Sequence, residues 1–172
     1  LLHVGKARPL LQWIQGLAQS VQVTFDPGPL LTDIDPQLLD ALLPRLNLWT
    51  GHTAEALSFT HAPTLTDALP ALSARLPTHC LAVVRDGPQG CWISDRHGQQ
   101  HIAGFKVQCI DSNGAGDAHT GVLIAALAAG HPAPQAAQRA NAAAAIAVTR
   151  RGPATAPGAG EIDRLLGENG FQ

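Results

Sequence analysis

The sequence contains no methionine and few aromatic or charged residues. Of its 172 residues, 4% are aromatic and 14% are charged, and the formal net charge is −2. A near-neutral chain with so few aromatic side chains argues against a protein whose main task is to coat nucleic acid or an anionic membrane. The hydrophobic share of 45% argues against disorder and suffices for the core of one domain.

Long apolar runs and a secretory leader are also absent. The run at residues 121–129 is well short of the roughly 20 residues of a membrane helix, and no cationic, apolar leader opens the chain. We therefore expect a soluble, cytoplasmic protein. Because the sequence lacks methionine and opens on Leu1–Gly5, which is typical of the end of a buried strand, we expect a fragment without its natural N-terminal portion.

Cysteine and histidine show no metal-binding or disulfide spacing. Cys80, Cys91 and Cys109 are odd in number and form no CxxC pair, which favours reduced thiols that act as small core residues. His97 and His101 are four residues apart, but the glycine between them predicts a turn. No HExxH motif is present either, so we expect no structural zinc site.

Helical and strand-like patterns alternate along most of the chain. Apolar spacings of three and four residues predict helices at 6–18, 36–43, 53–59, 65–76 (interrupted or begun near Pro70), 115–129, 133–149 and 161–166. Apolar or β-branched runs predict strands at 21–25, 46–49, 80–84, 91–94, 100–103 and 105–110. This order indicates an α/β layered fold with a largely parallel central sheet.

The segment with the clearest chemical meaning is residues 111–117, D-S-N-G-A-G-D, between a predicted strand and a long apolar helix. Its glycines let the backbone approach a ligand closely, and the N–H groups at a helix start favour an anion. Asp117 in the first turn could accept a proton from a hydroxyl while those N–H groups hold a phosphate. From the residues alone, an alternative stays open: the glycines only make a tight turn, and Asp117 only caps the helix.

Residues 111–117 resemble the DTxGAGD signature of the ribokinase-like (PfkB) carbohydrate kinases, with Ser112 in place of Thr. Other segments are similar to family motifs in the same order: 25–29, 50–56, 83–90 (V-V-R-D-G-P-Q-G, similar to VTLGxxG) and 141–152. The resemblance implies a three-layer αβα fold. Residues 1–172 would be the C-terminal nucleotide-binding portion of one incomplete domain, without the N-terminal part and its lid.

The resemblance also implies an ATP-dependent phosphotransferase that acts on a hydroxyl of a sugar or nucleoside. Asp117 would be the general base. The anion hole for the transferring phosphoryl group would be formed by Gly114, Ala115 and Gly116. Gly87 and Gly90 would border the ATP phosphates, and Asn141 would lie beside the nucleotide base.

Cation sites are implied in the same way. Glu55 matches the glutamate associated with Mg²⁺ and its bound water. Asp111 and Asn113 match positions that hold a monovalent cation such as K⁺, together with the loop at 148–154.

The sequence departs from the family pattern at three further positions. His52 replaces an asparagine, and an imidazole suits Mg²⁺ less well than an oxygen ligand. Arg85 replaces a threonine and could place a cation near the nucleotide phosphates, or point into solvent. His119 replaces a common aromatic residue and could contact substrate or tune Asp117, or be hydrogen-bonded within the helices.

Two rival functions stay open at this point. A non-catalytic module could bind nucleotide without transferring phosphate, or the chain could belong to a kinase of a vitamin precursor of the hydroxymethylpyrimidine type. In each case we expect a small-molecule partner, no nucleic acid and no membrane, and a homodimer of the full-length protein. We expect the fragment alone to be a poor catalyst or inactive.

Overall fold

The structure, a computed structural model, describes residues 7–171. In this range the helices are α1 (Ala7–Gln15), α2 (Pro36–Leu42), α3 (Thr53–Thr60), α4 (Leu65–Arg75), α5 (Ala115–Ala128), α6 (Ala133–Ala147) and α7 (Ala159–Glu168). The strands are β1 (Thr24–Phe25), β2 (Leu48–His52), β3 (Leu81–Arg85), β4 (Gly90–Asp95) and β5 (Gly98–Ala103). Short 3-10 turns lie at Gly28–Asp33, Leu43–Arg45 and Gly87–Gln89.

The strands form a five-stranded sheet in the order β1-β2-β3-β4-β5. β1 and β2 are parallel, with Thr24 opposite Leu48 and Phe25 opposite Trp49. The connections on both sides of β4 are too short for a parallel crossover, so β4 runs against both of its neighbours. The sheet is therefore mixed but mostly parallel, with helices on both sides, which confirms the predicted α/β layers.

Three sequence-based predictions need correction. Residues 105–110 form no strand, because the N–H groups of Ile110 and Asp111 bond the carbonyl of Val148 at 2.7 and 3.1 Å instead of a strand. The strand predicted at 21–25 is limited to β1. α4 runs through Pro70 without a break.

The strand end predicted at Leu1–Gly5, and Lys6 of the first predicted helix, lie outside the described residues. Within residues 7–171, no helix combines the length and the apolar character needed to cross a bilayer.

The chain divides into two compact units, the first running to residue 84 and including 94–99. Its core contains Trp49 of β2, which is fully buried and lies 5.7 Å from the ring of Phe59 on α3. The Arg75 guanidinium of α4 lies 4.2 Å from the same Phe59 ring and donates to the Phe59 carbonyl at 2.6 Å. One aromatic side chain thus joins β2, α3 and α4.

The second unit contains residues 85–93 and the chain from residue 100 onward. Its centre is α6, whose buried residues are almost all alanine: Ala136, Ala137, Ala140, Asn141, Ala142, Ala143, Ala145 and Ala147. Small side chains allow close helix packing, so the alanine bias reflects a packed helix, as predicted. Ile162 and Leu166 of α7 pack against Ala142 and Ala143.

The three cysteines are reduced, but they differ in environment. Cys80 and Cys91 are buried and Cys109 is exposed, so the predicted core position is wrong for Cys109. Burial raises the pKa of Cys80 to about 11. It raises the pKa of Cys91 to about 12, although a hydrogen bond from Asn141 and the charge of Arg85 act in the opposite direction.

We therefore expect Cys109 alone to react quickly with a disulfide reagent in the folded protein, because the thiolate is the reactive form and access is also needed. Thiol release followed by absorbance should show one fast thiol, with Cys80 and Cys91 reacting only in denaturant. Cys109→Ser should abolish the fast phase. A fast phase that persists in this variant would contradict the burial of the other two cysteines.

Candidate active site

Gly114, the N-cap of α5, occupies a backbone conformation that only glycine adopts without strain. Its φ is +78°, and a Cβ at this position would overlap the carbonyl oxygen of Pro153. The turn before α5 therefore lies directly against the loop that follows α6. This contact fixes where α5 begins.

The first turn of α5 presents backbone N–H groups. The first bond within the helix runs from the N–H of Ala118 to the carbonyl of Gly114 at 2.9 Å, and the N–H of Ala115 donates back to Ser112 at 3.3 Å. Helix geometry leaves the N–H groups of Gly116 and Asp117 without an acceptor inside α5, and no N-cap side chain covers them. Asp117 is exposed, so an anion and a carboxylate could meet here.

Arg85, at the end of β3, lies along the same helix. Its Nη1 donates to Oγ1 of Thr120 at 2.7 Å, and its guanidinium is 3.8–3.9 Å from the position of a Cβ on Gly116. Residues 116 and 120 share one face of α5 because they are four apart. Arg85 therefore lies against the start of α5 and does not simply extend into solvent, and its predicted place near the nucleotide phosphates stays a prediction.

The two glycines of the β3–β4 turn differ in environment. Gly87 has a φ of +54°, is exposed, and has open space where a Cβ would be. Gly90 has a φ of +103°, and a Cβ there would overlap the carbonyl oxygen of Ile102. Gly87 therefore leaves backbone accessible to a ligand, whereas Gly90 is required by the packing of β5.

Asn141 is 5% exposed and its side chain bonds inward. Its Nδ2 donates to the carbonyls of Ile102 and Ala103 at 3.0 and 3.2 Å, and its Oδ1 lies 3.1 Å from Nε2 of His119. His119 is 2% exposed, which confirms its interpretation as a histidine bonded within the helices. The predicted place of Asn141 beside a nucleotide base stays a prediction. Sequence reasoning missed these inward bonds, although an asparagine within the alanine run at 140–145 was their signal.

Asp111 joins the two loops at the start of α5. Its Oδ1 accepts from the N–H of Asn113 at 3.0 Å, and its Oδ2 accepts from the N–H of Gly152 at 2.9 Å. These two hydrogen bonds, that of Asn113 first, lower the pKa of Asp111. Asn113 itself is exposed, so the two predicted cation-binding residues lie in one turn.

Glu55 belongs to the first unit, where it takes part in the N-cap of α3. Its Oε2 accepts from the N–H of His52 at 2.7 Å, and Nδ1 of His52 accepts from the N–H of Ala54 at 3.3 Å. Among the described residues, no three His, Cys, Asp or Glu side chains group as metal ligands. A magnesium ion held by one carboxylate, phosphates and waters needs no such group, so Glu55 stays a predicted ligand.

Gly114→Ala should lower the free energy of unfolding by at least about 1 kcal/mol, because a β-carbon there is strained and overlaps Pro153. Gly121→Ala, at an exposed position inside α5 with open space around its α-carbon, should raise it by roughly 0.4–1 kcal/mol. Chemical denaturation of both variants measures the difference. Equal stabilities would contradict the close contact at Gly114.

Asp111→Asn should destabilise the protein at neutral pH, and the deficit should shrink in acid. The folded pKa lies below the ordinary value of about 3.9, so the carboxylate stabilises the fold above that pH and loses this effect as the pH falls through the folded pKa. Denaturation of the unaltered protein and of Asp111→Asn, at several pH values between about 7 and 3, measures this deficit. Asp33→Asn, at an exposed carboxylate, is the control for the loss of a negative charge. A deficit independent of pH would show that the two N–H bonds are not the cause.

The chain matches the model of the pfkB family of carbohydrate kinases over residues 7–158. It is 31% identical over 150 residues to the uncharacterised sugar kinase YegV of Escherichia coli strain K12, covering 86% of this chain and 46% of that protein. A nucleoside kinase of Burkholderia thailandensis in complex with inosine superposes with a TM-score of 0.77, at 25% identity, over 96% of this chain and 54% of that one.

A second solved structure, an E. coli protein provisionally described as ribokinase II in complex with ATP and Mg²⁺, superposes with a TM-score of 0.75 at 28% identity, covering 96% of this chain and 53% of that one. The present chain spans about half the length of these relatives. These similarities confirm the ribokinase-like fold predicted from the motifs. They favour neither the non-catalytic nucleotide-binding module nor the vitamin-precursor kinase. The chain belongs to the pfkB family of carbohydrate kinases.

Proposed function

We propose that the protein to which this chain belongs transfers the γ-phosphoryl group of ATP to a hydroxyl of a sugar or nucleoside. The observation that carries the proposal is the start of α5, where uncapped N–H groups of the first turn stand beside the exposed carboxylate of Asp117. Phosphoryl transfer needs both parts, since an anion must be held while a neighbouring hydroxyl loses its proton. Relatives named as a sugar kinase and a nucleoside kinase support this acceptor class.

In the proposed step, Asp117 accepts the proton of the acceptor hydroxyl. The hydroxyl oxygen forms its bond to the γ-phosphorus as the bond from that phosphorus to the β-bridging oxygen breaks, and ADP leaves with the electron pair. Gly114, Ala115 and Gly116 are proposed to form the anion hole. Because the N–H of Ala115 already donates to Ser112, the N–H groups of Gly116 and Asp117 would hold the equatorial oxygens. Their position at a helix start adds the favourable end of the helix dipole.

The nucleotide phosphates are proposed to lie along the β3–β4 turn. Gly87 supports this because its α-carbon faces open space, so backbone can approach a phosphate. Gly90 keeps the turn tight against β5. Arg85 supplies a fixed positive charge beside Gly116. Asn141 is proposed to lie on the side of the nucleotide base but beneath the surface that the base contacts, because its buried side chain bonds the carbonyls of Ile102 and Ala103.

Glu55 is the proposed Mg²⁺ ligand through a bound water, and the ion supplies neutralisation of phosphate charge. The structure of a relative in complex with ATP and Mg²⁺ supports Mg²⁺ as the ion, and the place of Glu55 as its ligand rests on the motif alone. A monovalent cation such as K⁺ is proposed beside Asp111 and Asn113, supported by the bond from Gly152 to Asp111 that joins the two loops. The proposal includes a cytoplasmic location, a homodimer of the whole protein and weak or no activity of this chain on its own.

The test is ADP release by the native polypeptide that contains this chain, measured over a panel of pentoses, hexoses and nucleosides. Asp117→Asn should lower kcat by about 10²–10⁴-fold, because a general base is lost. The dissociation constant for MgATP should stay within about threefold, a change under ~0.7 kcal/mol. Asp163→Asn, at an exposed carboxylate paired with Arg139 on α6, is the matched control and should keep full turnover.

Turnover that survives Asp117→Asn would contradict the assignment of the base. Binding of MgATP without turnover on any acceptor, in both the unaltered protein and the variant, would favour a binding module over a kinase.

A further inference from the structure

Asn141 connects three segments of the second unit through one side chain. Its amide nitrogen donates to two successive carbonyls at the end of β5, those of Ile102 and Ala103. Its oxygen faces Nε2 of His119 on α5 at 3.1 Å. All of these groups are enclosed in the protein except Ala103, whose side chain is exposed.

These bonds determine the orientation of the amide and the tautomer of the imidazole. Two carbonyl oxygens can only accept, so they must face the NH₂ group of Asn141, and its oxygen must face His119. Nε2 of His119 therefore carries the proton and donates. A buried amide held in this way has one low-energy orientation.

The end of β5 is in turn fixed to the β3–β4 turn. The N–H of Gly104 donates to the carbonyl of Gln89 at 3.0 Å. Gly90 has no side chain, which lets the carbonyl of Ile102 approach its α-carbon. A continuous series of short contacts thus runs from this turn through β5 and Asn141 to His119, two residues beyond Asp117.

We propose that Asn141 is a positioning residue, and that its bond from His119 holds the β3–β4 turn and the first turn of α5 in a fixed relation. The inference rests on the proposed function, in which the turn at Gly87 holds the nucleotide phosphates and α5 carries the base. Phosphoryl transfer depends on the alignment of these two groups, and a displacement of about 1 Å can reduce a rate by ~10²-fold.

The test compares three substitutions in the native polypeptide. Asn141→Asp keeps the shape but places a carboxylate against two carbonyl oxygens. His119→Gln keeps a donor near the position of Nε2, and His119→Leu removes it with little change in volume. Asn169→Asp is the matched control, since Asn169 also donates to a backbone carbonyl, that of Leu165 at 2.8 Å, but at the surface of α7.

For Asn141→Asp we expect kcat per folded molecule to fall by about tenfold or more while the KM for MgATP stays within about threefold. His119→Leu should show a smaller fall in kcat, and His119→Gln and Asn169→Asp should match the unaltered protein. Folded protein is quantified by circular dichroism, so loss of stability alone leaves kcat per folded molecule unchanged. Unchanged kcat in Asn141→Asp, or equal rates in the two His119 variants, would overturn the proposal.

Two readouts do not depend on turnover. Nitrogen NMR should show a proton on Nε2 of His119. Hydrogen exchange at the Gly104 amide should accelerate by about tenfold or more in Asn141→Asp, since opening of this contact becomes easier. If no acceptor is phosphorylated, the proposed function fails, but these two measurements still test the positioning role of Asn141. An unaltered exchange rate of the Gly104 amide in Asn141→Asp, or a His119 ring protonated on Nδ1 only, would reject that role.

Discussion

The contact between the turn before α5 and the loop after α6 is the constraint on which the second unit depends. Gly114 lies against the carbonyl of Pro153 with no room for a β-carbon. Asp111 accepts a hydrogen bond from the N–H of Gly152, and the carbonyl of Val148 accepts from the N–H groups of Ile110 and Asp111. Because these contacts fix the first residue of α5, they also fix where its unbonded N–H groups and Asp117 are presented.

The described interior of this unit combines the small side chains of α6 with two buried polar side chains, Asn141 and His119. Alanines on α6 let neighbouring backbones come close, so the few polar atoms that are buried must find partners. Asn141 meets this requirement with the carbonyls of Ile102 and Ala103 and with His119. The unit therefore has a fixed polar contact in its interior, at Asn141, and an uncapped helix start beside the exposed Asp117.

The α/β fold could be predicted from the alternation of helical and strand-like patterns and from the resemblance of the motifs. The glycines before the apolar helix also predicted the tight turn that the structure has at Gly114, whereas the roles of the site residues stay predictions. The absence of a strand at residues 105–110 could not be predicted, since their alternating pattern does not show whether a partner strand is available. The inward bonds of Asn141 and the packing of Gly90 were also beyond sequence reasoning, because both arise between residues far apart in the chain. His52 shows the same limit: its imidazole caps α3 through Nδ1, a role that spacing alone did not indicate.

The most direct test of the central claim asks whether the start of α5 holds the phosphoryl group. Addition of MgADP with aluminium fluoride, an analogue of the transferring group, can be followed by the amide resonances of the protein. The account predicts that the signals of Gly116 and Asp117 shift strongly and saturably, while that of Gly121, further along the same helix, stays in place. Saturable binding with shifts confined to residues away from the first turn of α5 would contradict it.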